Sequence, residues 1–249
     1  MSCMSNVRVA SYDTISRRSF ASRELAELHG AAFWYTVPMN LEDVRKELRQ
    51  GNRVLLMVRH AERPHIDHED PTFGAALPLT ENGLRAAEEY GARLREFADV
   101  VQFYASPLRR TVMTAEAIAR GMGVVSPDIP TDDKLGNDTF YFSDQPAVFN
   151  LFRDGSFYKH VFDYLRNGHQ IGFADIHAAS DALEEWALER FTGQLGIFTT
   201  HDLYNGAYLK ARGVVESFTV ETWVQFLDAA AIIISPDGSR RYALVRANP

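Results

Sequence analysis

The sequence predicts a three-layer α/β/α fold with a mainly parallel central sheet, one antiparallel edge strand and a helical cap insertion. Apolar runs at 54–58, 100–105 and 195–200 have the length of buried strands, and a helical segment follows each of them. Such repeats, joined by long crossovers, require parallel strands covered by helices. Two more apolar runs, 229–235 and 241–246, flank Pro-Asp-Gly-Ser and predict a hairpin that supplies the antiparallel strand.

The length and composition fit one large domain with insertions. The chain has 249 residues, of which 46% are hydrophobic, enough to bury a large core. We expect an N-terminal helical extension over residues 1–51 and a main domain over residues 52–249. Within the main domain, a cap insertion rich in phenylalanine and tyrosine is expected at about 121–195.

The extension contains two predicted helices, at 22–31 and 40–50. Asn40 is the expected N-cap of the second helix, and Gly51 the residue that stops it. No catalytic constellation is visible in this segment, so we expect it to serve in packing or in homodimer formation.

Charge and composition exclude several classes of partner. The net charge of -7 argues against a nucleic-acid surface, which needs a basic stripe. No apolar run reaches the roughly 18 residues of a membrane span. The single cysteine, Cys3, cannot form an internal disulfide. Residues 16–20 resemble a twin-arginine export signal, but charged helical residues follow them instead of an apolar stretch. We therefore expect a cytoplasmic protein.

Cationic and histidine residues follow all three predicted parallel strands. Arg59-His60 come after the first strand, Arg109-Arg110 after the second and His201-Asp202 after the third. Parallel strands end at one edge of a sheet, and ligands bind there beside the free N–H groups of the following helices. Guanidinium groups bind phosphate bidentately, and a neutral imidazole fits beside the phosphorus. The pattern therefore predicts a phosphate pocket.

A second cluster, His65-Ile66-Asp67-His68-Glu69-Asp70, suggests a metal site because it is rich in imidazole and carboxylate. Six consecutive residues before a proline do not converge from a rigid frame, however. We interpret the cluster as a loop at the pocket mouth and predict neither a metal nor an organic cofactor.

Four stretches, RHAERP, LPLTENGLRAA, SPLRRTVMTA and THDLYNGAYL, resemble the histidine phosphatase superfamily, which includes phosphoglycerate mutases and histidine acid phosphatases. The resemblance covers roughly residues 52–249. The segment from Arg59 to Pro64 and the pair His201-Asp202 are more similar to the acid phosphatase branch. The chain is short for that branch and lacks its usual disulfides.

The resemblance implies a role for each residue. His60 matches the nucleophile, which forms a phosphohistidine and must be neutral to attack phosphorus; neighbouring arginines lower its pKa. His201 matches the second histidine, which hydrogen-bonds the transferring phosphoryl group. The matching phosphate-clamping residues are Arg59, Arg63 and Arg110. Arg110 is preferred over Arg109 by its spacing in the motif, because consecutive helical residues point about 100° apart.

The leaving oxygen requires a proton, and Asp202 is the candidate general acid by its match to the histidine-aspartate pair. Other branches of the superfamily place the acid after the second strand. This chain offers Asp132, Asp133 and Asp138 in that region.

The resemblance implies a metal-independent histidine phosphatase that hydrolyses a small organic phosphate monoester. One alternative is a phosphoglycerate mutase-type phosphotransferase, which returns the phosphoryl group to its substrate. Another is a binding module that retains the phosphate pocket without turnover.

Overall fold

The computed structural model describes residues 38–67, 70, 72, 74–136 and 140–247. The helix predicted at 22–31 and the candidate acid Asp138 lie outside these residues. The described strands are β1 (Arg53–Arg59), β2 (Val101–Ala105), β3 (Leu195–Thr200), β4 (Ala229–Ile234) and β5 (Arg240–Val245). The described α-helices are α1 (Leu41–Arg49), α2 (Glu81–Ala92), α3 (Arg109–Met122), α4 (Gln145–Phe152), α5 (Phe157–Asn167), α6 (Ile176–Arg190) and α7 (Asp202–Ala211). Short 3-10 helices span Arg95–Val100 and Asp133–Leu135.

The five strands form one mixed sheet in the order β2-β3-β1-β4-β5. β3 pairs in parallel with both β1 and β2, so the three strands that precede the predicted site residues end at the same edge. β4 pairs antiparallel with β1 and with β5. The predicted α/β class is confirmed.

The C-terminal hairpin differs in one detail from the prediction. β4, the strand that runs against the others, lies inside the sheet between β1 and β5, and β5 occupies the edge. The burial of the two strands gives the reason. Ala229–Ile233 are buried, whereas β5 begins with the exposed residues Arg240 and Arg241. An alanine and isoleucine run suits an interior strand, and charged residues suit an edge.

Successive residues of β1 point to opposite faces of the sheet and into two separate cores. Val54, Leu56 and Val58 pack with α1, α2 and α3 on one face. Leu55 and Met57 pack on the other face with α4 to α7, which include the helices of the predicted cap insertion. The two cores give the three layers that the sequence predicts.

Helix α1 begins as predicted. The Asn40 side chain accepts hydrogen bonds from the backbone N–H groups of Glu42 and Asp43, and the Asp43 carboxylate accepts one from the Asn40 N–H. This capping box satisfies N–H groups that a helix start leaves unpaired. Buried leucine and valine side chains of α1 join the same core as β1. A domain boundary near residue 51 stays a prediction.

No helix in the described part of the chain combines the length and the apolar character needed to cross a membrane.

Helices α2 and α3 cross at two glycines. A Cβ atom on Gly91 would overlap the carbonyl oxygen of Ile118, and one on Gly121 would overlap the carbonyl oxygen of Glu88. Backbone is therefore in contact with backbone at this crossing, which fixes α3 and the arginine in its first turn against the sheet.

Replacement of Gly91 by alanine should destabilise the protein. The added methyl group must push the two helices apart, which typically costs about 1–3 kcal/mol. Chemical denaturation monitored by circular dichroism measures the loss. Glu116→Ala, an exposed change on α3, is the control and should alter the free energy of unfolding by less than about 0.5 kcal/mol. Equal stabilities for the two variants would contradict the close crossing.

Candidate active site

The strand ends bring the predicted residues together at one edge of the sheet. Arg59 is the last residue of β1, and His60 follows it directly. Arg110 lies in the first turn of α3, directly after β2. His201 is the N-cap residue of α7, and Asp202 is the first residue of that helix.

The two imidazoles are neighbours. The ring centroids of His60 and His201 lie 5.5 Å apart in an edge-to-face arrangement. The backbone enforces this distance, because the His60 N–H donates to the carbonyl oxygen of Thr200 at 3.0 Å. The pairing of β1 with β3 therefore sets the separation of two residues that are 141 positions apart in the chain.

His60 is held as a neutral ring with a free Nε2. It is only 3% exposed, and its Nδ1 lies 2.8 Å from the carbonyl oxygen of Ala61. A carbonyl can only accept, so the ring proton is on Nδ1 and the lone pair is on Nε2. Burial lowers the pKa of His60 well below its usual value, and the charges of Arg110, Arg59 and Arg63 lower it further.

His201 is also held neutral. Its Nε2 lies 3.0 Å from the hydroxyl of Ser106, which is fully buried. Burial lowers the pKa of this histidine well below the usual value, and Arg110 and His60 add to the effect. The nearby carboxylate of Asp202 opposes the shift without reversing it.

Three arginines surround the imidazoles, and each has an unsatisfied donor. The Nε atoms of Arg59, Arg63 and Arg110 are all buried without a hydrogen-bond partner among the described residues. Buried N–H groups are rarely left unpaired, because each one costs about 1–3 kcal/mol. The three donors mark a place where an anion would be bound.

Each guanidinium is positioned by the backbone around it. Arg59 donates to the carbonyl oxygen of Val224 at 2.5 Å and lies over the ring of Phe226, with its Cζ 4.3 Å from the centroid. Arg110 donates to the carbonyl oxygen of Gly74 at 2.8 Å. The backbone N–H of Arg59 donates to the carbonyl oxygen of Asp228, which precedes β4.

The pKa values of two of the arginines are lowered in the site. Burial, followed by the charge of Arg63, lowers the pKa of Arg110 to about 10. Burial also lowers the pKa of Arg63, and Arg59 contributes. Arg109, the adjacent residue that the helical geometry turns elsewhere, is exposed to solvent, whereas Arg110 is 7% exposed.

Asp202 faces the same centre as a paired carboxylate. Its Oδ2 lies 3.0 Å from a guanidinium nitrogen of Arg59 and accepts from the indole N–H of Trp223 at 3.2 Å. Burial raises the pKa of Asp202, but Arg59 and the hydrogen bonds outweigh burial and lower it. The free protein therefore holds Asp202 ionised, and a proton-donor role requires that a bound phosphate first draw Arg59 away from it.

The rival acids lie on the segment after β2. Asp132 uses its side chain to accept from the backbone N–H of Lys134, and Asp133 is exposed. Asp138 is not among the described residues. The segment itself borders the site, because the hydroxyl of Thr200 donates to the Leu135 carbonyl oxygen and a Cβ on Gly136 would overlap the His201 ring.

The acidic and histidine-rich segment after Pro64 is connected to Arg110 through hydrogen bonds. Asp70 accepts from the backbone N–H groups of Thr72 and Gly74, and Gly74 in turn holds Arg110. The described residues contain no group of three or more histidine, cysteine or carboxylate side chains that could hold a metal. His68 and Glu69 lie outside the described ranges.

Several site residues were not predicted from the sequence. Phe226 and Trp223 come from the irregular segment before β4, which has no periodicity to mark it. Ser106 lies within the SPLRR motif but was assigned no role. Thr114 was likewise missed; its hydroxyl accepts from the Ala61 N–H and donates to the Arg110 carbonyl oxygen.

Residues 55–137 match the family model described as histidine phosphatase superfamily, branch 1. This range contains His60 and the three arginines. Residues 55–137 therefore carry the signature of the histidine phosphatase superfamily. The closer similarity to the acid phosphatase branch, expected from the motifs, is not confirmed by this match.

A search of curated proteins found no significant match to this chain. Among solved structures, a phosphoglycerate mutase from Bacillus anthracis str. Sterne aligns with 18% identity and a TM-score of 0.48, over 78% of this chain and 93% of that one. A mycobacterial glucosyl-3-phosphoglycerate phosphatase aligns with 15% identity and a TM-score of 0.46, over 78% and 97%. A phosphoserine phosphatase from Entamoeba histolytica aligns with 14% identity and a TM-score of 0.48, over 76% and 94%. These likenesses are too distant to bear on the activity.

The neutral histidines should make the folded protein sensitive to mild acid. Their pKa values are lowered on folding, so the unfolded state, with histidine pKa values near about 6.5, binds more protons as the pH falls below that value. The contribution of these histidines to the free energy of unfolding therefore has its full value above about pH 6.5. Below that pH the free energy of unfolding decreases by up to about 1.4 kcal/mol per pH unit for each histidine. Urea titrations between pH 7.5 and 5.5 measure the slope.

The His201→Asn variant should show a shallower pH slope than the wild type. His169→Asn, at an exposed position, is the matched control and should keep the wild-type slope. If His201→Asn retained that slope as well, the assignment of a neutral, buried imidazole at this position would be wrong.

Proposed function

We propose that this protein is a metal-independent phosphatase that hydrolyses a small organic phosphate monoester through a phosphohistidine on His60. One observation carries the proposal: three buried arginine Nε donors, without partners among the residues that the structure describes, surround two neutral imidazoles whose centroids are 5.5 Å apart. A phosphate dianion would accept hydrogen bonds from all three guanidiniums and would compensate their mutual repulsion.

The proposed reaction begins when the Nε2 lone pair of His60 attacks phosphorus. A bond forms between Nε2 and phosphorus while the bond to the ester oxygen breaks, and the departing alkoxide takes a proton from the general acid. A water molecule then attacks the phosphohistidine from the vacated side. The bond between Nε2 and phosphorus breaks, inorganic phosphate leaves, and the water proton returns to the acid.

The surroundings of His60 favour the attacking state. The hydrogen bond from Nδ1 to the Ala61 carbonyl aims Nε2 and stabilises the positive charge that the ring acquires as the new bond forms. The arginines stabilise the charge on the equatorial phosphoryl oxygens, and His201 lies close enough to contribute. Catalysis of this kind consists of positioning and charge stabilisation, so the proposed steps do not require a metal.

The proton donor is proposed to be Asp202. Its carboxylate already contacts Arg59 in the free protein. When that guanidinium turns to a phosphate, Asp202 loses its strongest charge partner and comes to lie beside an anion. Both changes raise its affinity for a proton, which it takes up from solvent before the bond to the ester oxygen breaks.

Replacement of His60 by alanine should abolish phosphate release while the arginines still bind phosphate. The test is a panel of sugar phosphates, nucleotides, phytate, phosphoamino acids and pyrophosphates, assayed for released phosphate with wild type and His60→Ala in parallel. Binding of inorganic phosphate by His60→Ala is measured by calorimetry. EDTA should leave the wild-type rate unchanged, and rapid quenching should trap an acid-labile phosphoryl group on the wild type alone.

Hydrolysis by His60→Ala would refute the nucleophile assignment. An isomerised product without net phosphate release would indicate a mutase. Binding without turnover of any panel member by the wild type would indicate a module that only binds phosphate. Loss of activity in EDTA with restoration by a divalent ion would refute the metal-independent reaction.

Replacement of the general acid should slow esters with poor leaving groups selectively. Asp202→Asn is expected to reduce kcat/KM for alkyl phosphates by about 10²–10⁴-fold. Its effect on p-nitrophenyl phosphate should be far smaller, because that leaving group departs without a proton. Asp138→Asn tests the rival position, and Asp133→Asn, an exposed change, is the control. Equal losses on both substrate types in Asp202→Asn would show that Asp202 positions Arg59 and does not donate the proton.

A further inference from the structure

A chain of buried hydroxyl groups ends on His201. The Ser106 hydroxyl lies 3.0 Å from His201 Nε2 and 2.8 Å from the Thr111 hydroxyl. The Thr111 hydroxyl in turn lies 2.6 Å from the Leu108 carbonyl oxygen and 2.8 Å from the Ser106 carbonyl oxygen. Ser106 and Thr111 are both completely buried.

The direction of the hydrogen bonds in this chain is fixed by its far end. Carbonyl oxygens cannot donate, so the single hydroxyl proton of Thr111 must point to them. The contact between the two hydroxyls then requires the proton of Ser106. With that proton committed to Thr111, the Ser106 oxygen can only accept from His201. The ring proton of neutral His201 is therefore on Nε2.

The packing around His201 leaves one ring nitrogen for a ligand. Ser106 occupies the Nε2 side, and Gly136 lies against the Cδ2 and Nε2 atoms so closely that a Cβ there would overlap them. Nδ1 is on the other side of the ring. The two imidazoles are thus held in opposite tautomers, since His60 carries its proton on Nδ1 and has its lone pair on Nε2.

We propose that Ser106 is a positioning residue that holds the Nε2 proton of His201 and presents Nδ1 to the transferring phosphoryl group. The role rests on the proposed function of the site. When His201 takes up a second proton beside a bound phosphate, that proton must go to Nδ1, where it is donated to a phosphoryl oxygen. Ser106 continues to accept from Nε2 and so stabilises the charged ring.

The opposite tautomer would be unproductive. If Nε2 carried the lone pair, the Ser106 hydroxyl would have to donate to it, and the hydroxyl contact with Thr111 would lose its proton. The ring would then gain its second proton on Nε2, on the side covered by Ser106 and Gly136. The tautomer of His201 therefore depends on Thr111, which acts through Ser106 without touching the ring.

The tautomer can be measured directly in the free protein. Two-bond ¹H–¹⁵N correlation spectra of ¹⁵N-histidine-labelled protein distinguish a ring with its proton on Nε2 from one with its proton on Nδ1, and the His201→Asn variant assigns the signals. We expect the Nε2-protonated form for wild-type His201. Ser106→Ala should give a mixture of tautomers. Thr111→Val should shift the population toward Nδ1 protonation, because the Ser106 proton is released to turn toward the ring.

Ser180→Ala is the matched control. Ser180 is also a completely buried serine, and its hydroxyl contacts the Tyr141 hydroxyl at 2.9 Å instead of a histidine. The Ser180→Ala change removes the same group and should leave the His201 signals unchanged. A wild-type His201 with its proton on Nδ1 would overturn the proposal, as would wild-type His201 signals in both Ser106→Ala and Thr111→Val.

The kinetic consequence is tested with the substrate that the panel identifies. Ser106→Ala should lower kcat by roughly 10- to 100-fold with a smaller change in KM, as expected when a catalytic group is misoriented and the arginine clamp is intact. Ser180→Ala should stay within about twofold of the wild type. A wild-type kcat in Ser106→Ala would overturn the positioning role. If no panel member is hydrolysed, the proposed function fails, and the spectra still decide the tautomer.

Discussion

The site depends on three arginine charges that are held close together beside the Asp202 carboxylate. Arg59, Arg63 and Arg110 converge with buried Nε donors, and burial, followed by their mutual repulsion, lowers the pKa values of Arg63 and Arg110. Burial, together with these charges, also keeps His60 and His201 neutral. An arrangement of this kind is unfavourable alone, and rigid supports are required to maintain it: paired strand ends, backbone carbonyls and the close crossing of α2 and α3.

These supports show that the backbone of the sheet sets the positions of the site residues. Parallel pairing of β1 with β3 places two histidines side by side, and the following helices begin at the same edge of the sheet. The Ala61 carbonyl oxygen then selects the nitrogen of His60 that carries the proton, and the Ser106 hydroxyl is proposed to do so for His201. The position of the lone pair on His60 Nε2 is therefore set by backbone geometry as much as by the residue type.

Much of this arrangement could be predicted from the sequence, and the limits have physical causes. Short apolar runs followed by charged residues predict both the parallel strands and the edge where their residues meet, and Asn40 predicts a helix start. The pairing of Asp202 with Arg59, the ring of Phe226 and the indole of Trp223 could not be predicted. They depend on an irregular segment whose path is set by tertiary packing. The interior position of β4 depends on strand order, which periodicity does not reveal.

Asp228 links the candidate active site to the last described residues of the chain. Its carbonyl oxygen accepts from the Arg59 N–H, while its buried carboxylate accepts from Arg246 and from the backbone of Ala247 and Gln225. A charge in that position is tolerated only while its partners remain. Disturbance at Arg246, far along the chain from His60, would therefore be transmitted to the end of β1. The segment after β5 thus supports the backbone position of Arg59.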